Sequence, residues 1–489
     1  MKIIKFSADD VGNIVVLPIF ISSKSKSIEI LAPASVSKKI DLKKLQQTLK
    51  KIGSTANPDE VLKVTQGDLL IIATGLGAER KFSAEDLRRA AGSAARNLEG
   101  EKSATFAFAA KTEEELTAVA EGAALGSYVF SEFKGSSKLE MKPALAEVTI
   151  INSLGSGIQT KRIGEKVQIL AKNSNLVRDL INTPPSHLTP IEFVNRVKKI
   201  ALSLKLKVEV LDEKTLKTKG YGGITAVGQG SANPPRLIRI SYTPAKAKKS
   251  YALVGKGITF DTGGLALKPA NGMEEMKADM SGAAAVIAAI FSAAELKLPI
   301  AIDAWAPLAE NMVSDTATRP SDIIKIYGGK TVEVLNPDAE GRLILADALV
   351  RAQEFNKKLD GVIDVATLTG AQVVALGTRF SAVMSNDEKF SKKFLDATKK
   401  SGEQFWPMPL PQELRASLDS PVADIANIGE RMGGMLVAGL FLKEFVNIPW
   451  LHLDIAGPAF NSSKAHGYTP VGGTGVALRS LISLFEGDC

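Results

Sequence analysis

Apolar and polar positions along the chain follow two rhythms that replace each other from one end to the other. Short apolar runs bounded by glycine, proline or acids read as strands, and longer stretches with a period near 3.6 read as helices. Asp68-Leu69-Leu70-Ile71-Ile72-Ala73 is a strand of this kind, and a helix opens at Ser83. Thr112 with Glu115 has the form of a capping box for a helix through Tyr128, and Val148-Thr149-Ile150-Ile151 closes the set as a strand. Gly164 to Asn182 is a long, charged helical pattern suited to joining two domains, and Thr183-Pro184-Pro185-Ser186-His187 breaks it. Thr189, Pro190 and Glu192 mark the next helix start. Strands are then expected at 207–211, 224–228, 236–242 and 251–257, alternating with helices down to a terminal helix at 475–485. This alternation specifies an α/β fold. The expected layout is a smaller N-terminal α/β domain over 1–160, a linker helix over 161–185, and a larger C-terminal α/β domain over 186–489 with a central mixed sheet flanked by helices. No internal repeat or low-complexity segment interrupts it.

Composition narrows the class without naming a chemistry. A chain of 489 residues is long enough for two or three domains with at least one substantial core. The formal net charge of +8 invites nucleic acid or an anionic surface as a partner. Scattered lysines account for that charge, because no arginine-rich run or interleaved aromatic patch appears, so nucleic-acid binding is possible but not favoured. Cys489 is the only cysteine, which rules out an intramolecular disulfide and suits a reducing, cytoplasmic compartment. The apolar run Ile14-Val15-Val16-Leu17-Pro18-Ile19-Phe20-Ile21 reads as a strand rather than a signal peptide, since Asp9 and Asp10 precede it and no small-residue cleavage site follows. No apolar run is expected to be long enough to span a bilayer.

Chemistry concentrates in the C-terminal two thirds. In Asn336-Pro337-Asp338-Ala339-Glu340-Gly341-Arg342-Leu343, two carboxylates and a guanidinium occupy alternate positions ahead of the apolar helical run Leu343 to Val350. If that segment is extended, Asp338, Glu340 and Arg342 share a face. Acids at a helix N-terminus would explain Asp338 and Glu340 alone, but not their company. Upstream, Val254-Gly255-Lys256-Gly257-Ile258-Thr259-Phe260-Asp261-Thr262-Gly263-Gly264 is a strand running into a glycine-rich turn. Lys268 follows, and Met276-Lys277-Ala278-Asp279-Met280-Ser281-Gly282 opens an alanine-rich helix continuing to about Lys297. Four acids, Asp261, Asp279, Asp338 and Glu340, would repel one another unless cations bridged them, so a polynuclear metal site is the economical reading. Oxygen ligands suit Mn, Mg or Zn without choosing among them.

These motifs, together with Asp364-Val365-Ala366-Thr367-Leu368-Thr369-Gly370-Ala371, Trp450-Leu451-His452-Leu453-Asp454-Ile455-Ala456-Gly457 and the Gly472-Gly473-Thr474-Gly475 turn, resemble the signature set of the leucyl aminopeptidase, or cytosol aminopeptidase, family. Several motifs in the right order carry far more weight than any one of them. The resemblance implies a metal-dependent aminopeptidase that releases leucine and other apolar N-terminal residues from peptides and serves intracellular peptide turnover. It implies two divalent ions per subunit, Mn or Zn, with Lys256, Asp261, Asp338 and Glu340 around one and Asp261, Asp279 and Glu340 around the other. By the same resemblance, Lys268 and Arg342 are catalytic, the first beside the oxyanion and the second holding a bicarbonate. A structural pairing of Arg342 with a carboxylate is the alternative. Met276, Asn336, Thr367, Leu368, Gly370, Ala456 and Ala459 are implied as the substrate-binding residues, the N-terminal domain as an assembly or regulatory module, and the whole as a cytoplasmic homohexamer without membrane contact.

Two departures from the family pattern are visible. Pro337 stands where threonine is usual, removing a backbone donor and biasing Asn336 toward extended geometry. Thr262 stands where serine is frequent and keeps the hydroxyl. Other chemistries find no support. The three histidines, His187, His452 and His466, form no H-E-x-x-H pair, and His452, flanked by apolar neighbours on a strand, reads as structural. A G-x-S-x-G elbow is absent, and Tyr327-Gly328-Gly329-Lys330 makes a better hairpin turn than a phosphate loop. The competing functions are a two-metal hydrolase of another bond, such as a phosphoester, and a DNA-binding architectural protein.

Overall fold

Both rhythms fold into mixed sheets covered by helices, one large sheet in each of two units, with a three-stranded and a two-stranded sheet besides in the second. The computed structural model describes residues 3–155 and 157–489. One unit comprises residues 1–175 with Ser462–Val471, the other Leu176–Asn461 with Gly472–Cys489, and the division falls within the helix Thr160–Asn182.

The first unit is built on a seven-stranded sheet. Ile3–Ser7, Glu147–Ile151, Ser103–Phe106, Ile14–Ile21 and Leu69–Ala78 run parallel, and Val61–Gln66 and Ile28–Ile30 pair antiparallel at its margins. Ile14–Ile21 is thus a strand, as its pattern predicts. The helices Ala84–Arg96 and Glu113–Gly126 pack on each other so closely that a side chain at Gly122 would collide with the Arg88 carbonyl. Ser83 and Asp86 form a reciprocal capping box. The box expected at Thr112 is only half made. Thr112 accepts from Glu115 N, but the Glu115 carboxylate turns to Lys111 N at 2.6 Å.

The second unit carries a nine-stranded sheet, ordered Phe405–Pro407, Ser381–Ser385, Trp450–Asp454, Gly361–Ala366, Lys249–Gly255, Ile300–Asn311, Arg236–Tyr242 and Lys207–Leu211, with Gly257–Asp261 added beside Ile300–Asn311. Trp450–Asp454, Gly361–Ala366, Lys249–Gly255 and Ile300–Asn311 are parallel. Continuous apolar runs such as Val362, Ile363 and Val365 bury fully there, as sheets covered on both faces require.

Four sequence expectations are corrected. Residues 224–228 are not a strand but part of the helix Gly222–Gly228, a short apolar run whose type periodicity alone does not decide. The strand expected at 251–257 is two strands, Lys249–Gly255 and Gly257–Asp261, with Lys256 at the break. The alanine-rich helix is also divided, into a short 3-10 helix Met273–Ala278 and the helix Ser281–Glu295, leaving Asp279 at the joint. Finally, the stretch Met273–Glu295 is long and apolar enough by composition to cross a membrane, though 89% of its apolar window is buried inside the protein, as a core helix would be.

Candidate active site

Parallel strands deliver their carboxyl ends to one edge of the sheet, where open α/β folds place their ligands. Lys249–Gly255 ends into Lys256, Gly361–Ala366 into Thr367, and Trp450–Asp454 into Ile455, with Ala366 opposite Asp454 in register. Lys256 is fixed at both ends of its backbone, its N–H donating to Val365 O at 2.9 Å and its carbonyl accepting from Ala283 N at 2.8 Å. Its side chain lies across Gly341, where a Cβ would stand 2.6 Å from Lys256 Cδ. The ammonium meets Asp279 Oδ1 and Glu340 Oε1, each at 2.8 Å, and donates to Thr367 O at 2.9 Å. Three donors therefore meet three acceptors. Burial works against that charge, but Asp279, Glu340 and Asp261 outweigh it and hold Lys256 protonated well above the usual lysine range.

The acids arrive by turns and helix ends, not along an extended segment. Asp261 ends its strand with Oδ1 accepting from Gly263 N and Asn311 Nδ2, each at 2.8 Å, while Oδ2 meets Lys268 Nζ at 2.9 Å. Lys268 also pairs with Asp338. Asp338 sits in a β-turn closed by Ala339 N donating to Asn336 O at 3.0 Å, and Asn336 Oδ1 accepts from Asp338 N at 2.9 Å. Glu340 has helical dihedrals and caps the helix Gly341–Phe355, whose first turn includes Arg342. This corrects the expectation that Asp338, Glu340 and Arg342 alternate on one strand face. A turn followed by a helix start brings the two carboxylates together instead. Pro337 occupies the second position of that turn, which its fixed φ suits.

One carboxylate oxygen each from Asp261, Asp338 and Glu340 lies within 4.8 Å of the others, a spacing that could hold a metal ion. Asp279 accepts from Thr367 Oγ1 at 2.8 Å through Oδ1, and its Oδ2 is buried with no hydrogen-bond partner among the described residues. Even beside Lys268, burial keeps the Asp338 carboxyl above its usual range. Asp279 and Glu340 are held above their usual range by burial as well, and carboxyls so placed with two lysines among them are a set that more positive charge would satisfy, so these residues fit divalent cations.

Arg342 is buried, donates from Nη1 to Asn427 O at 2.7 Å, and lies 6.0 Å from the Phe441 ring centroid. Burial lowers its pKa to about 10 against the pull of Glu340 and Asp454, and its Nε has no hydrogen-bond partner among the described residues. Of the implied substrate-binding residues, Thr367 and Leu368 leave the strand end half-buried, Ala456 and Ala459 lie on the turn after Trp450–Asp454, and Met276 is half-buried on its 3-10 helix. Lys277, next to Met276, comes 5.9 Å from the Phe460 ring, so that helix reaches the Ala456–Ala459 turn. Gly370 is exposed, and the Asn336 amide is spent on its own turn.

Three residues that sequence reasoning passed over hold the arrangement in place. Asn311 Nδ2 joins Asp261 to Pro337 O at 3.1 Å. Asn427 Oδ1 accepts from Leu335 N and Asn336 N, and Nδ2 donates to Asn336 O at 2.7 Å. Asp454 accepts from Leu368 N at 3.1 Å and Ala456 N at 3.2 Å. Only Asp454 lay in a motif that could have drawn attention. Thr262 uses the hydroxyl it retains, donating to Asn311 O at 2.8 Å.

Comparison with known proteins decides the lineage of this site. Residues 175–482 match the catalytic domain of the cytosol aminopeptidase family, and residues 16–137 match its N-terminal domain. The chain belongs to the cytosol aminopeptidase family. Among relatives of this cytosol aminopeptidase family member, a probable cytosol aminopeptidase of Streptomyces griseus subsp. griseus is 50% identical, with 94% of this chain and 93% of that protein covered. A namesake from Rhodococcus jostii is 47% identical, covering 96% and 94%. Among solved structures, a mutant of tomato leucine aminopeptidase superposes with a TM-score of 0.87 at 29% identity, covering 99% of this chain and 96% of that one. The bottromycin maturation enzyme BotP in complex with Mn superposes with a TM-score of 0.84 at 36% identity, covering 98% and 99%. The protein is accordingly a hydrolase of the leucine aminopeptidase type, with the two-domain architecture of that family and a metal-dependent site.

Proposed function

We propose that this cytosol aminopeptidase family member removes apolar N-terminal residues, leucine among them, from peptides, with two divalent ions in its acidic cluster. The observation that carries the reading is the approach of Asp261, Asp338 and Glu340 to within 4.8 Å beside a buried, unpartnered Asp279 Oδ2. Lys256, Asp261, Asp338 and Glu340 would hold one ion, and Asp261, Asp279 and Glu340 the other. Lys256 must give up its proton to serve, since an ammonium has no lone pair to donate. When bound, divalent ions supply Lewis acidity toward a carbonyl and a lowered pKa for water.

The remaining work falls to the chain itself. Lys268, with its side chain 22% exposed and paired with Asp261 and Asp338, would serve as the donor to the oxyanion of a tetrahedral intermediate. Arg342, with Nε unpaired, is the cation at which an anion such as bicarbonate would be held as a base. Asp279 favours a substrate that brings a positive α-amine, which internal peptide bonds lack, and this supports exopeptidase specificity. Met276, Asn336, Thr367, Leu368, Gly370, Ala456 and Ala459 are assigned to the recess for the first side chain. Neither the phosphoester nor the DNA-binding alternative is favoured by the comparisons. The Mn complex of BotP makes Mn the first ion to test, with Zn next. Cytoplasmic peptide turnover by a homohexamer is the corresponding biological setting, and light scattering of the purified protein tests the subunit count.

The central test is metal removal and replacement. Prolonged chelation, checked by elemental analysis, is expected to abolish hydrolysis of leucine p-nitroanilide, and added Mn to restore it in the wild type but not in Glu340→Ala. Undiminished turnover of metal-free protein refutes the proposal.

A further inference from the structure

Four polar side chains stand in a column on one face of the nine-stranded sheet, and the mechanism above uses none of them. Residues two apart on a strand share a face. Trp450, His452 and Asp454 therefore point the same way, with Asp364 opposite His452 in register. Asp364 is wholly buried and accepts from Trp450 Nε1 at 2.7 Å and from His452 Nδ1 at 2.6 Å. That clamp orients the imidazole. His452 and Asp454 are each 0% exposed and interact electrostatically, each favouring the other's charged form.

Asp454 stands at the end of the column nearest the site, where two chain segments leave the sheet. Its Oδ1 accepts from Leu368 N at 3.1 Å on one segment and from Ala456 N at 3.2 Å on the other. Its Oδ2 accepts from Thr369 Oγ1 at 2.8 Å, and Thr369 Oγ1 in turn accepts from Gln372 N at 3.0 Å, capping the helix Gly370–Leu376. Gln372 Oε1 closes the loop by accepting from Gly457 N at 2.7 Å. Leu368 and Ala456 both belong to the set assigned above to the recess for the substrate's first side chain, and in that reading each contributes a wall to it. A fully buried carboxylate is costly unless its bonds are specific. Here both oxygens are committed to backbone and hydroxyl donors that fix those walls.

We propose that Asp454, backed by the Asp364–His452 pair, is a positioning residue that sets selectivity for the substrate's first side chain by holding the Leu368 and Ala456 walls at a fixed separation. It touches no reacting atom, and the inference rests on the aminopeptidase reading of the recess. An asparagine there offers one acceptor oxygen in place of two. Its Nδ2 cannot accept from Thr369 Oγ1, so the charge-assisted Thr369 bond is replaced at best by a weaker one of reversed direction, and the Leu368–Gly370 segment is held less firmly. A leucyl side chain fills the recess and senses the wall spacing, whereas an alanyl side chain barely reaches it.

The test compares Asp454→Asn, Thr369→Val and Thr369→Ser with wild type, each loaded with Mn and checked for metal per chain, on leucine and alanine p-nitroanilides. Asp454→Asn and Thr369→Val are expected to lower the leucyl-to-alanyl ratio of kcat/KM about tenfold, through the leucyl KM, a loss of the order that apolar recesses use to discriminate by a methylene. Thr369→Ser, which keeps the hydroxyl, should retain the wild-type ratio. If both anilides weaken together and the ratio holds, Asp454 serves stability alone and the inference falls. Should Asp454→Asn fail to fold, the Val and Ser variants at Thr369 decide by the same criterion. A wild type that cleaves neither anilide overturns the aminopeptidase reading and this inference with it, while an intact wild type with an unchanged variant ratio overturns this inference only.

Discussion

Gly341→Ala separates the stability of the fold from the geometry of the site. A methyl at this position would collide with Lys256 Cε and stand 2.6 Å from Cδ and 2.7 Å from Nζ. Carbon atoms in contact prefer roughly 3.5–4.0 Å, so the end of the lysine must retreat by about 1 Å. Its ammonium makes contacts of 2.8, 2.8 and 2.9 Å with Asp279, Glu340 and Thr367 O, and hydrogen bonds of that length are lost by about 3.6 Å. Overpacking a core by one methyl costs about 1–3 kcal/mol. Alanine returns up to about 1 kcal/mol over glycine in a helix. The moved atoms are the tip of a flexible side chain, so the net destabilisation should sit near the bottom of that range, about 1 kcal/mol. Turnover has no such offset, because displacing a catalytic group by about 1 Å can cost about a hundredfold. The expected outcome is a melting temperature within a few degrees of wild type, altered metal per chain, and hydrolysis of leucine p-nitroanilide reduced about a hundredfold. Gly157→Ala, where an added Cβ meets nothing among the described residues within 4 Å, serves as the control. If Gly341→Ala keeps wild-type turnover and metal content, Lys256 is not held in a functional position by that contact.

Two further outcomes follow from buried polar groups that are not members of the acids' cluster. Burial pushes Asp347 up to about 7, against the backbone N–H groups of Tyr327, Ile224 and Gly223 that favour its charge. A carboxyl whose folded pKa exceeds its unfolded one binds more protons when folded, so its contribution to stability is present below the unfolded value of 3.8 and fades as pH rises through 7. Asp347→Asn should therefore lose ground to wild type mainly at low pH, and urea midpoints measured from acid to neutral pH should converge; parallel curves would contradict the assignment. Asn427→Ala strips partners from Leu335 N, Asn336 N and Asn336 O at once. With three part-buried hydrogen bonds lost at about 0.5–1.5 kcal/mol each, a loss of about 2 kcal/mol in urea unfolding is expected, with slower peptide hydrolysis because the Asp338 turn loosens.

What could be read from the sequence, and what could not, divides by the range of the interaction. The strand Ile14–Ile21, the Ser83 cap and the hairpin over Tyr327–Lys330 are set by neighbours a few residues apart, so their patterns suffice. Residues 224–228 depart from their local pattern because their helix is held from elsewhere, Ile224 N donating to Asp347 at 2.7 Å across the core. The four acids could be gathered from three motifs, with Asp338 and Glu340 sharing one, but Asn311 and Asn427 carry no local signature; the contact from Asn427 to Asn336 spans 91 residues of chain. Pro337 is the instructive case. Extended geometry was the reason to expect it to be tolerated, yet the segment is a β-turn, in which the second position leaves no backbone donor to lose and suits proline's fixed φ. The tolerance thus follows from the turn rather than the strand. That turn also brings Asp338 beside Lys268 while Glu340 caps the following helix, an approach of two acids that strict alternation along a strand was never needed to produce.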